Sequence, residues 1–221
     1  FPNIRDGKMN MMSCVSMGPD WWTKRVTPEK GSNDIIFSKG FNYYIITHSS
    51  ATTPASYNLF AADGRLLKTI EDNKELKEKL KQYNLSQKKF FNFKIPSGFN
   101  LNGWMIKPSN FDSTKKYPVL MFVYGGPGSQ TVMDNWDARN GLWYQYLAQN
   151  GYIVVSVDNR GTGARGDEFK KCTYLQLGKL ETEDQTEAAK YLASLQFVDS
   201  KRIGIQGWSY GGYMTSLCLT K

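Results

Sequence analysis

Short apolar runs separated by polar turns open the interpretable part of the chain. They lie at residues 35–37, 43–47 and 57–60, with loops rich in Ser, Thr and Pro and the turn pair Asp63-Gly64 between them. Strands at this spacing, joined by tight turns, predict an antiparallel β-sheet. One such sheet leaves a face unburied, so we expect it to belong to a propeller or sandwich whose other strands are missing here.

Residues 73–83 change to a helical period. Three apolar side chains fall on one face and the charges fall elsewhere: Leu76, Leu80 and Tyr83. Asp72 or Asn73 is suited to cap the start, because its side chain can accept a hydrogen bond from a free backbone N–H. We predict a connecting helix at a domain boundary, which divides the chain into residues 1–84 and 85–221.

Beyond this boundary, strand and helix patterns alternate. An alternating apolar run predicts a hairpin-like entry around a turn at residues 96–98. Continuous apolar runs predict buried strands at 119–124, 153–157 and 203–206, and helical spacing predicts helices at 143–148 and 183–195. Continuously apolar strands that alternate with helices are typical of a mostly parallel sheet covered on both faces. The predicted fold class is therefore α/β, preceded by antiparallel β-structure.

The strongest chemical signal is a G-x-S-x-G motif at residues 207–211. An apolar strand precedes it and a helical pattern with Met214, Leu217 and Cys218 follows it, so the motif lies on a sharp turn from strand to helix. Such a turn exposes the hydroxyl of Ser209 above the sheet and directs backbone N–H groups towards a reacting carbonyl. A structural glycine turn is the alternative, but the flanking strand and helix favour a hydrolase nucleophile.

A second glycine-rich loop, with the sequence YGGPG at residues 124–128, follows the predicted strand at 119–124. Hydrolases build part of the oxyanion hole from a loop in this position. The hydroxyl of Tyr124 could donate a hydrogen bond to the developing oxyanion. Without the motif around Ser209, a glycine turn beside a buried tyrosine would be the better interpretation.

Residues 161–166 match the G-x-G-x-x-G pattern of dinucleotide-binding sites and follow a predicted strand. Such a site needs the motif to open a helix, and residues 167–178 have no clear helical face. We therefore interpret the segment as a flexible loop shaped by Asp158 and Arg160. We predict no cofactor.

The other two members of a catalytic triad are not evident. The one histidine of the chain, His48, lies far upstream in the β-rich part, whereas α/β-hydrolases carry the acid and the histidine after the serine. Asp158 and Asp184 precede Ser209 and do not fit the triad acid. We interpret His48 as an ordinary half-exposed strand or loop residue.

Composition argues against several other classes of function. The net charge of +8 comes mostly from scattered lysines, interleaved with acidic residues where they are densest, so we predict no nucleic-acid binding. Three widely spaced cysteines and a single histidine predict neither a disulfide framework nor a metal site. No apolar run reaches the ~18 residues of a transmembrane helix, and residues 9–18 are too interrupted for a signal peptide. The glycosylation sequon at residues 84–86 is weak evidence by itself.

Taken together, several segments resemble the prolyl oligopeptidase family of serine peptidases, specifically its dipeptidyl peptidase IV branch. The WSYGGY form of the motif is quite specific, and at Tyr124 relatives of the acylaminoacyl-peptidase type usually carry histidine. The matching segments are residues 123–130 and 158–163, residues 177–178 with Glu181 and residues 184–185, and residues 199–203 and 207–214. The resemblance extends over roughly residues 26–221 and is looser in the early part.

The resemblance implies a β-propeller followed by an α/β-hydrolase domain. Residues 1–84 would then be the end of the propeller with the connecting helix, and residues 85–221 the first part of the catalytic domain. It implies Ser209 as the nucleophile, the Tyr210 N–H and the Tyr124 hydroxyl as the oxyanion hole, and the Tyr210 ring as a border of the proline pocket. The substrates would be peptides that lose an N-terminal X-Pro dipeptide.

The resemblance also implies parts that we expect to be missing from this chain. Phe1 in place of Met suggests a missing start, and the family's triad Asp and His follow the nucleophile, so we expect the chain to be inactive by itself. A homodimer of the full-length protein and a periplasmic or secreted location are compatible with the family. The alternatives are another α/β-hydrolase, such as an esterase or acylaminoacyl peptidase, and a non-catalytic peptidase-like binding module.

Overall fold

The computed structural model describes Thr27 and residues 29–220, which form two compact units. One unit runs up to Asn84 and also includes Met133–Arg139; the other comprises Leu85–Val132 and the residues from Asn140 onwards. Phe1, Cys14 and the rejected signal peptide at residues 9–18 lie outside the described residues. None of the helices in the described part of the chain is long and apolar enough to span a membrane.

The first unit is an antiparallel sheet of four strands in sequence order. The strands are β1 (Ser32–Phe37), β2 (Tyr43–Ser50), β3 (Thr53–Ala61) and β4 (Leu66–Glu71). The three predicted strands are present and longer than predicted, and Tyr44 and Ile46 of β2 alternate into the buried face. The fourth strand, β4, was not predicted, because all six of its residues are exposed and its apolar positions do not alternate.

The predicted connecting helix is present but shorter than predicted. Helix α1 spans Lys74–Leu80 and buries none of its residues. Asn73 occupies the N-cap position without a side-chain cap, since its amide donates instead to the Ala55 carbonyl at 2.6 Å. Asp72 accepts the Lys74 N–H at 2.9 Å, so of the two predicted capping residues, Asp72 binds a free N–H of the first turn.

The second unit contains a five-stranded mixed sheet with the order β5-β6-β8-β7-β9. The strands are β5 (Lys88–Lys94), β6 (Asn100–Ile106), β7 (Tyr117–Phe122), β8 (Ile153–Asp158) and β9 (Val198–Gln206). The hairpin β5-β6 and the pair β6-β8 are antiparallel, whereas β7 pairs in parallel with both β8 and β9. An antiparallel sheet followed by a partial α/β-hydrolase sheet confirms the predicted fold class, with the parallel pairing confined to β8, β7 and β9.

Four helices accompany this sheet: α2 (Gly141–Gln149), α3 (Asp167–Lys171), α4 (Lys179–Ala193) and α5 (Tyr210–Leu219). Residues 167–178 show no clear helical face in the sequence, yet the five-residue α3 begins directly after Gly166. This helix is too short to show an apolar period, since Phe169 is its one buried residue.

The core explains why β8 is apolar throughout. On one face of the sheet, Val155 and Val157 pack in a cluster with Ala188 and Leu192 of α4. On the other face, Val154 packs in a cluster with Trp104, Tyr144 and Ala148. Because both faces of β8 are covered, every one of its six residues is buried. Because β7 pairs in parallel with both β8 and β9, the carboxyl ends of these three strands meet at one edge of the sheet.

Candidate active site

The G-x-S-x-G motif forms the turn between β9 and α5. Ser209 is the N-cap residue of α5, with φ 56° and ψ −119°. A residue other than glycine in this region of φ and ψ has a backbone strained by about 1–3 kcal/mol. Such residues cluster at functional sites, where the surrounding structure holds them in the strained conformation. Within the described residues, the Ser209 hydroxyl makes no hydrogen bond to the protein.

Glycines let this turn pack directly against the end of β7. A Cβ atom on either Gly207 or Gly211 would collide with the carbonyl oxygen of Val123. The Val123 N–H in turn donates to the Gln206 carbonyl at 3.0 Å, which extends the parallel pairing up to the turn. Tyr124 therefore lies beside the turn that carries Ser209.

Tyr124 and Tyr210 face each other across Gly126. Their ring centroids are 6.2 Å apart, and a Cβ on Gly126 would lie 2.9 Å from Tyr124 Cε1 and 3.2 Å from Tyr210 Cγ. Tyr124 is 38% exposed, and its hydroxyl has no protein partner among the described residues. The Tyr210 N–H is the first of α5 and has no carbonyl to bind within the helix. Each tyrosine thus has one hydrogen-bond donor, the Tyr124 hydroxyl and the Tyr210 N–H, that is available to a ligand.

Asn159 supports the loop that carries Tyr124. It is fully buried, and its amide donates to the Gly125 carbonyl at 3.0 Å and to the Arg160 carbonyl at 2.7 Å. The Gly128 N–H donates to the Gly161 carbonyl at 2.9 Å. In the loop at residues 161–166, which the sequence predicts to be flexible, Gly161 and Thr162 are buried, and the Gly163 N–H donates to the Ser129 carbonyl at 2.8 Å.

A buried ion pair fixes this support to helix α4. The Arg160 guanidinium donates to Asp184 Oδ1 from Nη2 at 2.7 Å and from Nε at 3.0 Å, and the Arg160 N–H donates to Oδ2 at 2.7 Å. Asp184 is 0% exposed and Arg160 is 7% exposed. These hydrogen bonds raise the pKa of Arg160, so the guanidinium stays charged. Asp184 is thus occupied by Arg160, in keeping with its rejection as a triad acid.

Asp158 is also engaged in the scaffold. Its carboxylate accepts the Thr131 N–H at 2.9 Å, the Thr131 hydroxyl at 2.7 Å and the Val132 N–H at 3.0 Å. Burial raises the pKa of Asp158, and the three donors oppose that shift. The carboxylate ties β8 to the chain that follows the Tyr124 loop.

The Tyr210 hydroxyl is held by a carboxylate that sequence reasoning missed. It donates to Glu181 Oε1 at 2.8 Å, and Oε2 of the same carboxylate accepts the Gly178 N–H at 3.0 Å. Burial, and after it the hydrogen bond to Glu181, raises the pKa of Tyr210. The signal available in the sequence was a carboxylate three residues after Gly178, which is the spacing of a capping box at a helix start.

The other residues considered for catalysis or metal binding lie in different elements. His48 lies in β2 of the first unit, where its Nδ1 is 2.8 Å from Asn33 Oδ1. Cys172 follows α3, and its thiol donates to the Phe169 carbonyl at 3.1 Å, whereas Cys218 lies in α5. No cluster of three or more potential metal ligands occurs among the residues that the structure describes.

Comparison with known proteins gives consistent matches. The model of the prolyl oligopeptidase family matches residues 140–221. The chain is 43% identical over 188 residues to a probable dipeptidyl peptidase 4 of Emericella nidulans, covering 84% of this chain and 24% of that protein. It is 41% identical over 187 residues to the dipeptidyl peptidase 4 of Trichophyton equinum, covering 83% of this chain and 24% of that protein.

Solved structures agree with these relatives. The crystal structure of Porphyromonas gingivalis dipeptidyl peptidase 4 matches with a TM-score of 0.85 and 47% identity, covering 90% of this chain and 28% of that one. A putative dipeptidyl aminopeptidase IV from Bacteroides ovatus matches with a TM-score of 0.75 and 34% identity, covering 89% and 28%. The chain spans about a quarter of the length of the curated relatives that it matches.

Proposed function

This chain belongs to the prolyl oligopeptidase family, in its dipeptidyl peptidase IV branch, and we propose that the whole protein removes X-Pro dipeptides from the N-terminus of peptides. The observation that carries the proposal is the strained Ser209, which caps α5 and lies on a turn packed against the loop of Tyr124. A serine held in this way is exposed for attack and has oxyanion donors beside it.

In the proposed reaction, the Ser209 hydroxyl attacks the carbonyl carbon of the proline residue and loses its proton to a general base. The bond from that carbon to the next amide nitrogen then breaks, the rest of the peptide leaves as an amine that takes up the proton, and the X-Pro dipeptide remains as an ester on Ser209. The Tyr210 N–H and the Tyr124 hydroxyl donate to the oxygen of that carbonyl as negative charge develops on it. The Tyr210 ring borders the pocket for the proline side chain. Water then releases the dipeptide from Ser209.

The attack also needs a general base, because a serine hydroxyl is a weak nucleophile at neutral pH. His48 lies in β2 of the first unit, where its Nδ1 is 2.8 Å from Oδ1 of Asn33 in β1. The chain spans about a quarter of the length of its relatives, and we propose that the triad acid and base lie in the rest of the whole protein. The chain alone is then expected to react poorly with a fluorophosphonate, and efficient labelling of Ser209 would contradict this assignment.

The proposed division of labour follows the two units. Residues 1–84 are the end of a propeller with its connecting helix, and residues 85–221 are the first part of the catalytic domain. The boundary between the two compact units at Asn84 and Leu85 supports this division, and the exception is Met133–Arg139, which group with the first unit. A homodimer of the whole protein and the lack of nucleic-acid binding stay predictions, which light scattering and a gel-shift assay would test.

The test is hydrolysis of an X-Pro arylamide by the full-length protein. Ser209→Ala should abolish turnover, and Tyr124→Phe should lower kcat by roughly 10²–10³-fold, which is typical for loss of one oxyanion donor. Ester substrates serve as the comparison. Activity that survives Ser209→Ala, or turnover of esters without turnover of X-Pro amides, would refute the proposal.

A further inference from the structure

We infer that Glu181 is a positioning residue for the proposed site, where it anchors the Tyr210 ring that borders the proline pocket. The inference rests on the proposed function and adds to it a residue from a different helix. Glu181 lies in the first turn of α4, 29 residues before Tyr210 in the sequence.

The carboxylate of Glu181 has a partner for each oxygen. It is 0% exposed, its Oε2 accepts the Gly178 N–H at 3.0 Å, and its Oε1 accepts the Tyr210 hydroxyl at 2.8 Å. Its position at the start of α4 also stabilises the negative charge, because the N-terminus of a helix carries a partial positive charge. A buried carboxylate satisfied in this way is a rigid acceptor for the phenol.

Tyr210 is consequently held at both ends. Its backbone begins α5, and its hydroxyl is tied to Glu181. Along the ring, the Tyr213 ring meets it edge-on with centroids 5.5 Å apart, and Gly126 approaches Cγ closely enough that a Cβ would lie 3.2 Å away. A tyrosine has two side-chain torsions, so the tether at the hydroxyl removes the freedom of the ring to swing away from Gly126.

A purely structural role for Glu181 is the alternative, because the residue also caps α4. Tyr210→Phe separates the two roles, since it deletes the tether and leaves the cap of Glu181 on Gly178 intact. Glu181→Ala removes both. Glu181→Gln is the conservative variant: its amide can still accept from the Tyr210 hydroxyl, or donate to it, in either orientation.

The experiment measures kcat and KM of the full-length protein for X-Pro and X-Ala arylamides. Tyr210→Phe and Glu181→Ala should raise KM for the X-Pro substrate roughly 5-fold, as expected for the loss of one hydrogen bond, and should change kcat and KM for X-Ala less. The double variant Tyr210→Phe/Glu181→Ala should raise KM for the X-Pro substrate no more than Glu181→Ala alone does. Glu181→Gln should have a KM close to that of the wild type. The matched control is Tyr213→Phe, because that hydroxyl makes only a long 3.4 Å contact with the Leu177 carbonyl.

A second readout does not depend on activity. The difference in tyrosinate absorbance between wild type and Tyr210→Phe isolates the titration of Tyr210. The same difference between Glu181→Ala and the double variant Glu181→Ala/Tyr210→Phe gives the titration of Tyr210 in the absence of the carboxylate. The pKa of Tyr210 should fall towards its ordinary value of 10.0 when Glu181 is removed, and burial should keep it above that value.

Two results would overturn the inference. One is a Tyr210→Phe protein whose KM values match those of Tyr213→Phe, and the other is a Tyr210 titration that Glu181→Ala leaves unchanged. A wild-type protein that does not cleave X-Pro amides would refute the proposed function instead, and the titration would then decide by itself whether Glu181 holds Tyr210.

Discussion

Replacing Gly211 with alanine should push the serine turn away from the Tyr124 loop. The added Cβ would collide with the Val123 carbonyl oxygen, and it would lie 3.1 Å from the Val123 carbonyl carbon and 3.2 Å from Tyr124 Cα. All three are backbone atoms, so no side chain can turn aside to make room. Either α5 or the Tyr124 loop has to move.

The required movement sets the size of the effect. Ordinary van der Waals contact begins near 3.4 Å, so the two backbones have to separate by roughly 1 Å, and misplacement of reacting groups by that distance costs about 10²-fold in rate. This factor corresponds to about 2.7 kcal/mol of transition-state stabilisation. The overpacking should also lower the free energy of unfolding by about 1–3 kcal/mol.

Gly212→Ala is the matched control, because it adds the same methyl group to the next residue of the same helix. The nearest heavy atom to its Cβ would be the Gly207 carbonyl oxygen at 3.6 Å, which is an ordinary contact. Alanine is also the better helix former, so stability should stay unchanged or rise by up to about 1 kcal/mol.

The assay compares kcat/KM for an X-Pro arylamide and the thermal unfolding midpoint of the full-length protein and both variants. A Gly211→Ala protein with the same activity and the same Tm as Gly212→Ala would refute the reasoning. That result would show that a Cβ at position 211 fits beside the Val123 carbonyl without displacing either backbone. Loss of activity in both variants alike would also refute it.

Three further predictions concern the scaffold, the strained serine and pH. Asp184→Asn leaves the buried Arg160 charge without its counter-ion and should lower the free energy of unfolding by about 3–5 kcal/mol, which is roughly 6–20 °C in Tm at ~2–4 °C per kcal/mol. The control is Asp199→Asn, which removes the carboxylate of a partly exposed surface pair and should give no resolvable shift of Tm. Equal shifts of Tm in the two variants would contradict the prediction. Ser209→Gly should abolish activity yet stabilise the protein by about 1 kcal/mol in denaturant titrations, because glycine tolerates the positive φ, while Ser209→Ala keeps the strain and should show no such gain. Because the pKa of Tyr210 is raised, the folded state keeps the phenol proton to a higher pH than the unfolded state does. The contribution of Tyr210 to stability is therefore complete below pH 10.0 and is lost as pH rises above that value. The free energy of unfolding, measured in denaturant at pH 9 and pH 11, should fall less between these two pH values in Tyr210→Phe than in wild type.

Local patterns in the sequence were enough to predict the parts of the site that lie close together in the chain. The G-x-S-x-G motif predicts its turn because the strand before it and the helix after it are visible as apolar periods. The glycine loop at Tyr124 is predicted for the same reason, since it follows the continuous apolar run of β7. The roles of Ser209, Tyr124 and Tyr210 remain predictions that the kinetic tests above address.

Contacts between distant elements were beyond reach of the pattern. The strands β7 and β8 are both continuous apolar runs, so nothing in either run reveals that β8 lies between β6 and β7. Without that order, the pairing of Arg160 with Asp184 and of Tyr210 with Glu181 could not be anticipated. The exposed β4 and the five-residue α3 were not predicted for a different reason. Neither has enough buried positions to give its sequence a recognisable hydrophobic period.

The order of the supporting residues along the chain has a consequence for biosynthesis. The loop from Val123 to Gly125, residues 159–160 and Asp184 all precede Ser209. The hydrogen bonds from Asn159 to Gly125 and from Arg160 to Asp184 span 34 and 24 residues. Since a chain emerges from the ribosome from its N-terminus, at about 5–20 residues per second, the surfaces that receive the serine turn can assemble before the turn itself is made. The strained conformation of Ser209 is then imposed on arrival by a framework that already exists, and the early steps of folding need not carry its cost.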